Sequence, residues 1–88
     1  MELNKKVILI TGASGGIGAA AARRMAAKGM TVALAGRNFA KLEAVAKECA
    51  GLGGNADIFP GEITEEVYTS GLPDAVKTRF GALHALFN

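Results

Sequence analysis

The sequence has few of the residues that build disulfides, metal centres or aromatic platforms. Its 88 residues include one cysteine, one histidine, five aromatic residues and no tryptophan. A single cysteine excludes an internal disulfide, and Cys49 with His84 is too small a set to hold zinc. So few aromatic side chains also exclude a base-stacking platform for single-stranded nucleic acid. The lone thiol is typical of a reducing compartment, and we predict a cytoplasmic protein.

Long apolar runs and clustered charges are also missing. The first apolar run covers only residues 7–10, which is too short for a signal peptide or a membrane-spanning helix. Lysine and arginine are scattered and the net charge is only +2, so the basic patch of a nucleic-acid-binding domain is not there. We therefore expect neither a membrane nor a nucleic acid as partner. The length allows one small domain at most.

Glycine, by contrast, is abundant, and it is concentrated in residues 11–18, which read Thr-Gly-Ala-Ser-Gly-Gly-Ile-Gly. An apolar, β-branched run precedes this stretch and strong helix formers follow it, so it predicts a turn between a strand and a helix. Without a Cβ, the backbone lies open to a phosphate, and the first helical amides and the helix dipole favour its charge. No Gly-Lys-Ser/Thr follows, which excludes a P-loop. We predict a dinucleotide-binding turn with contacts from Gly12, Ser14, Gly15, Gly16, Ile17 and Gly18.

The rest of the chain predicts alternating strands and helices. Apolar runs predict strands over residues 6–11, 31–35, 56–59 and 83–87. Helical patterns cover 19–28, 39–50 and a third segment up to residue 80, which is capped by Thr64 and interrupted at Gly71. Strands that alternate with helices indicate a parallel sheet with right-handed crossovers. The expected fold is a Rossmann-like three-layer α/β/α arrangement with four strands in the order 3-2-1-4.

The spacing of apolar residues predicts which face of each helix is buried. In the first helix, Ile17, Ala21 and Met25 recur every four residues and are expected to face the sheet. The second and third helices have apolar stripes made of Leu42, Val45, Ala46 and Cys49, and of Leu72, Val76 and Phe80.

Three landmarks in order resemble the short-chain dehydrogenase/reductase family. They are the T-G-x-x-x-G-x-G turn, Ala-Gly-Arg-Asn at 35–38, and Phe-Gly-Ala-Leu-His-Ala-Leu-Phe-Asn at 80–88. The family transfers a hydride between nicotinamide and a carbonyl or alcohol carbon, using a Tyr and a Lys four residues later. Tyr68 is the only tyrosine, and position 72 is a leucine. The resemblance therefore implies the N-terminal, nucleotide-binding part of such an enzyme, residues 1–88, ending before the catalytic half and with no catalytic residue.

Arg37 and Asn38 follow the second strand, where a dinucleotide-binding fold selects its cofactor. An Asp or Glu at this strand end accepts hydrogen bonds from the ribose of NAD and repels the 2′-phosphate of NADP. Here the position is Gly36, and the guanidinium of Arg37 offers a planar fork that matches phosphate oxygens. We predict NADP as the preferred cofactor, with NAD possible.

The resemblance also implies contacts with the adenosine of the cofactor. Glu62 and Ile63 stand where relatives have Asp-Val after the third strand, which implies an acceptor for the adenine amino group and an aliphatic contact with the ring. Asn88 matches the first Asn of the family's N-N-A-G, near the adenosine ribose. His84 replaces a common Asp and is interpreted as structural.

Three function classes remain open at this stage. The first is an oxidoreductase portion, the second is a nucleotide-binding or redox-sensing module without catalysis, and the third is an S-adenosylmethionine-dependent methyltransferase. Gly36 and Arg37 argue against the third, which usually has an acid after the second strand. The last strand lies at the sheet edge and is apolar, which predicts self-association or pairing with a missing C-terminal half.

Overall fold

Seven elements alternate along the chain in a computed structural model that describes residues 4–62 and 65–87. They are β1 (Val7–Thr11), α1 (Gly16–Ala27), β2 (Thr31–Gly36), α2 (Phe39–Gly51), β3 (Asn55–Pro60), α3 (Glu66–Phe80) and β4 (Ala85–Phe87). All four strands are parallel, in the order β3-β2-β1-β4. The predicted α/β fold and strand order are confirmed.

The two central strands are buried on both faces, as their apolar sequences predict. All of β2 and the first four residues of β1 are buried. Because side chains alternate along a strand, Ile8 and Ile10 face α1 and α2, whereas Val7 and Leu9 face α3. Helices on both faces of one sheet give three layers. Because β1 and β2 are parallel neighbours, their carboxyl ends lie side by side at one end of the sheet.

The buried face of α1 differs from the predicted one. Its buried residues are Gly18, Ala19, Ala22 and Ala26, whereas Ile17 is 79% exposed and Ala21 and Met25 are half-buried. The four-residue spacing of the larger apolar side chains pointed to the wrong stripe. Since Gly18 lies directly against the backbone of the glycine turn, the helix comes close to the sheet and only small side chains fit between them.

The helix α2 agrees with its predicted stripe, because Leu42, Val45 and Cys49 are buried. The helix α3 is continuous through Gly71, so the predicted interruption is wrong. A glycine costs a helix about 0.5–1 kcal/mol and an interior proline such as Pro73 about 3 kcal/mol. Burial of Leu72 and Val76, at about 1.5–3 kcal/mol each, offsets these costs.

The ends of α3 and the strand bounds also differ from the predictions in places. The predicted cap, Thr64, lies outside the described residues. At the other end Gly81 has φ +83° and ends α3 as predicted. The strand β3 is one residue longer at each end than predicted, and β4 begins at Ala85 rather than at residue 83.

The two edges of the sheet have different chemistry. Asn55 N donates to the carbonyl oxygen of Met30, just before β2, and Gly61 N, just after β3, donates to that of Gly36. By alternation the N–H of Ile58 points outwards, and Pro60, also outward-facing, has no N–H. Asp57 accepts a hydrogen bond from Ile58 N at 2.9 Å and another from Arg79 Nε at 2.7 Å. The β3 edge is therefore closed by a carboxylate and a proline.

On β4, the backbone N of His84 donates to the carbonyl oxygen of Val7, so the N–H groups of Ala85 and Phe87 point to the open side. Ala85 and Leu86 are exposed, Leu86 to 57%, and all three residues of this strand are apolar. The β4 edge is therefore open and uncharged.

Candidate functional site

The glycine turn lies at the carboxyl end of β1, in the middle of the sheet. Gly12 and Gly16 have φ of +64° and +57°, in the left-handed region that side-chain-bearing residues rarely adopt. The backbone N of Ala13 donates to the carbonyl oxygen of Ala35 at 3.0 Å, which ties the turn to the end of β2. The turn is thus held in one conformation between the two central strands.

Two kinds of glycine make up this turn. A Cβ on Gly18 would lie 2.9 Å from the carbonyl carbon of Gly12 and 3.2 Å from Ala13 Cα, so this glycine is required for helix packing. A Cβ on Gly12, Gly15 or Gly16 would meet no atom within 4 Å. These three glycines therefore border open space, the cradle that a phosphate group would occupy and that a side chain would fill.

The helix α1 begins at this cradle without a competing anion. Its N-cap, Gly15, has extended backbone and no side chain to accept from the first amides, and the first turn contains no acidic residue. The exposed Ile17 stands in that first turn, beside the cradle. A dinucleotide pyrophosphate fits this set, since the amides and the helix dipole favour a negative charge there.

The end of β2 lies next to the turn. A Cβ on the buried Gly36 would lie 3.5 Å from Ser14 Oγ, so the serine of the turn lies beside the end of β2. At this strand end the chain has a glycine instead of an Asp or Glu. The side chain of Arg37 is 76% exposed, and its Nη1 lies 3.9 Å from Glu62 Oε2. Asn38 Oδ1 accepts from Lys41 N at 3.0 Å, so this side chain caps α2.

The carboxyl end of β3 lies next to the carboxyl end of β2. Gly61 N donates to the carbonyl oxygen of Gly36 at 2.8 Å, and the hydroxyl of Tyr68, from α3, donates to the carbonyl oxygen of Phe59. A Cβ on Gly61 would lie 2.8 Å from Tyr68 Cζ, so the ring packs directly on the loop that leads to Glu62. Burial raises the pKa of Tyr68 above its ordinary value.

Sequence reasoning considered Tyr68 only as a catalytic residue and rejected it. Its structural role depends on contact between α3 and the β3 end, and Gly61 beside Pro60 was interpreted only as a strand stop. Residues close in space but distant along the chain leave no periodic signal, so this contact could not be predicted from the sequence.

The structure thus brings the turn, Arg37 and Glu62 to one edge, while two predicted contacts, Ile63 and Asn88, lie outside the described residues. His84 lies at the other end of the strands, beside the first residue of β1. There its Nδ1 accepts a hydrogen bond from Val7 N at 2.9 Å, as a structural role requires. Among residues 4–62 and 65–87, no group of three His, Cys, Asp or Glu side chains is arranged to hold a metal. None of the helices in these ranges is long and apolar enough to span a bilayer.

A profile of the family described as short chain dehydrogenase matches residues 6–88. The chain belongs to the short-chain dehydrogenase family. It is 40% identical over 87 residues to an uncharacterized oxidoreductase of Staphylococcus haemolyticus, covering 99% of this chain and 37% of the relative. Membership of this family leaves the methyltransferase alternative without support.

Solved structures of short-chain dehydrogenases share the fold closely. A xylitol dehydrogenase with bound NAD+ superposes with a TM-score of 0.90 at 35% identity, over 98% of this chain and 33% of that one. A metagenomic short-chain oxidoreductase in complex with NADP superposes with a TM-score of 0.89 at 32% identity, over 98% of this chain and 39% of that one. This chain therefore spans about a third of the length of the short-chain dehydrogenases it matches. Of these two neighbours, one binds NAD+ and the other binds NADP.

Proposed function

We propose that residues 1–88 are the N-terminal part of a short-chain dehydrogenase, truncated before the catalytic half, and that they hold the adenosine and pyrophosphate of NADP. The observation that carries this proposal is the cradle at Gly12, Gly15 and Gly16, which is open to solvent at the uncapped start of α1. When bound, the reduced cofactor would give a hydride to a carbonyl carbon, and the oxidised cofactor would accept one from a CH–OH carbon. The catalytic Tyr and Lys belong to a part of the enzyme that this chain does not include.

The predicted contacts in the glycine turn and at the start of α2 suit this role. The amides of the glycine turn donate to the pyrophosphate, Gly18 keeps α1 close enough to do so, and Ile17 packs against the cofactor. Ser14 lies between the turn and the end of β2 and donates to the nearby phosphate or ribose. Asn38 uses its side-chain oxygen to fix the start of α2, which leaves its amide group for the cofactor.

The preference for NADP rests on the end of β2. The strand ends in a buried glycine, so β2 itself contributes no carboxylate that would accept the ribose hydroxyls or repel a 2′-phosphate. Arg37 follows with a side chain that is 76% exposed, so its planar fork is accessible to a phosphate. Glu62, Ile63 and Asn88 are proposed to contact the adenosine.

Titration of the 88-residue chain with NADPH and NADH tests the proposal. One charge-assisted contact contributes about 1.5–3 kcal/mol, so we expect NADPH to bind about tenfold to a hundredfold more tightly. Arg37→Ala should remove most of this difference and leave the NADH affinity unchanged. Arg23→Ala is the matched control, because it removes an exposed arginine that pairs with Glu48 at 3.4 Å on the helices α1 and α2. Equal affinities of the parent chain for both cofactors would contradict the NADP preference.

The two sheet edges support a proposal about partners. Charge and proline close the β3 edge, whereas the β4 edge presents outward N–H groups and the exposed Leu86. An open, apolar edge is a template for another strand. We infer that β4 is the strand through which the chain self-associates or joins the rest of the enzyme.

The cytoplasm is the proposed compartment, because Cys49, the one cysteine, is buried and unpaired.

A further inference from the structure

A carboxylate stands beside the arginine that the proposed function assigns to the 2′-phosphate. Glu62 Oε2 lies 3.9 Å from Arg37 Nη1, and the two side chains are 37% and 76% exposed. Exposed ion pairs of this kind contribute little to stability. The pair joins the ends of β2 and β3, which lie side by side because Gly36 pairs with Pro60. Its position makes it an element of the ligand surface rather than of the core.

The geometry brings the carboxylate within range of any phosphate on Arg37. A phosphate oxygen that accepts from Arg37 Nη1 lies about 2.7–2.9 Å from it. Added to the 3.9 Å between Nη1 and Oε2, this distance places the phosphate oxygen no more than about 7 Å from the Glu62 carboxylate. Both groups are negative, and the phosphate carries a charge of about −1.5 to −2. The same guanidinium therefore faces two anions, one from the protein and one from the cofactor.

We propose that Glu62 is a specificity-determining residue that weakens the binding of the 2′-phosphate and so narrows the preference for NADP over NAD. This inference rests on the proposed function of Arg37. NAD has a hydroxyl at the same position, so the carboxylate does not penalise it. The chain thus has an arginine that favours NADP and a neighbouring glutamate that limits this gain.

The expected size of the effect follows from Coulomb's law. For charges about 7 Å apart in a water-like dielectric, the repulsion lowers NADPH affinity about fivefold at low ionic strength. Screening at physiological ionic strength reduces this to about twofold, because the Debye length is then about 8 Å. Salt dependence therefore distinguishes this charge effect from a change of shape.

Glu62→Gln tests the proposal because it removes the charge and keeps the size and a carbonyl acceptor for adenine. We expect it to raise the ratio of NADPH affinity to NADH affinity of the 88-residue chain about fivefold at low salt, because the adenine contact is common to both cofactors and cancels in this ratio. Glu62→Asp keeps the charge and should stay near the parent value. Glu48→Gln is the matched control, since it removes a carboxylate from another exposed ion pair, near the far end of α2, and should change neither affinity.

The outcomes separate this inference from the proposed function. If the parent binds both cofactors and Glu62→Gln leaves the ratio of NADPH affinity to NADH affinity unchanged, the role of Glu62 is wrong and the dinucleotide site stands. If the parent binds neither cofactor, the proposed function is wrong and this inference is overturned with it. A rise in the ratio of NADPH affinity to NADH affinity, largest at low salt, supports both.

Discussion

Replacing Gly18 with alanine tests whether the glycine turn and α1 are packed as closely as the structure shows. The new Cβ would lie 2.9 Å from the carbonyl carbon of Gly12 and 3.2 Å from Ala13 Cα. Ordinary contacts between carbon atoms are about 3.5–4.0 Å, so the turn and the helix must separate by about 0.5–1 Å. The obstructing atoms belong to the backbone, and no side-chain rotation relieves the contact.

The free energy of unfolding should fall by about 1–2 kcal/mol. Overpacking costs about 1–3 kcal/mol, and a backbone obstruction belongs in the upper half of that range. Alanine returns about 0.5–1 kcal/mol because it is a better helix former than glycine. For a domain of this size each kcal/mol moves the melting temperature by about 4–8 °C, so Tm should fall by about 5–15 °C.

Circular dichroism during thermal and urea unfolding measures the change. Gly71→Ala is the matched control, because this glycine lies inside α3, has no atom within 4 Å of its Cβ position and has no positive φ. It should stabilise the chain by about 0.5–1 kcal/mol. A Gly18→Ala chain that melts at or above the parent temperature, while Gly71→Ala gains stability, would refute the close packing.

Two further predictions concern Tyr68 and the β4 edge. Burial should move the phenolate absorbance titration of Tyr68, the only tyrosine, to a midpoint above about 10, and denaturant should restore the ordinary value. Because the folded chain keeps this proton longer, the free energy of unfolding should fall as pH rises above about 10, and a native midpoint at or below the denatured one contradicts the prediction. In sedimentation experiments Leu86→Lys should weaken self-association, whereas Leu52→Lys, at another exposed leucine, should not. A parent chain that stays monomeric at high concentration contradicts self-association.

The order of strands and helices was predictable because it depends on local patterns. Runs such as residues 7–10 are apolar enough to be buried on both faces, and Gly81 ends α3 where a left-handed residue is needed. The buried stripe of α1 was not predictable in the same way. It depends on how closely Gly18 lets the helix approach the sheet, and this distance is a tertiary property.

The continuity of α3 has a similar explanation. Gly71 and Pro73 disfavour a helix locally, but Leu72 and Val76 are buried against the sheet and their burial offsets this cost. Local propensity is a weak guide when a helix gains so much from packing.

The candidate site was predictable where it is continuous in sequence. The glycine turn and Arg37 each follow a predicted strand, and the strand order brings them to one edge. The contact between Arg37 and Glu62 and the packing of Tyr68 on Gly61 were missed, since both join residues from different elements. Such contacts depend on side-chain length and on the exact register of β2 and β3.

The pairing of β1 with β4 has a consequence for the order in which the chain folds. The hydrogen bond between Val7 and His84 joins residues 77 positions apart, whereas β1 reaches β2 at Thr31 through one short crossover. Closing the longer loop costs about 1 kcal/mol more conformational entropy, so we expect β4 to join the sheet after β2 has paired with β1. During synthesis one side of the apolar strand β1 therefore has no partner strand until residues 85–87 emerge, and we expect this side to be a site of aggregation in the growing chain.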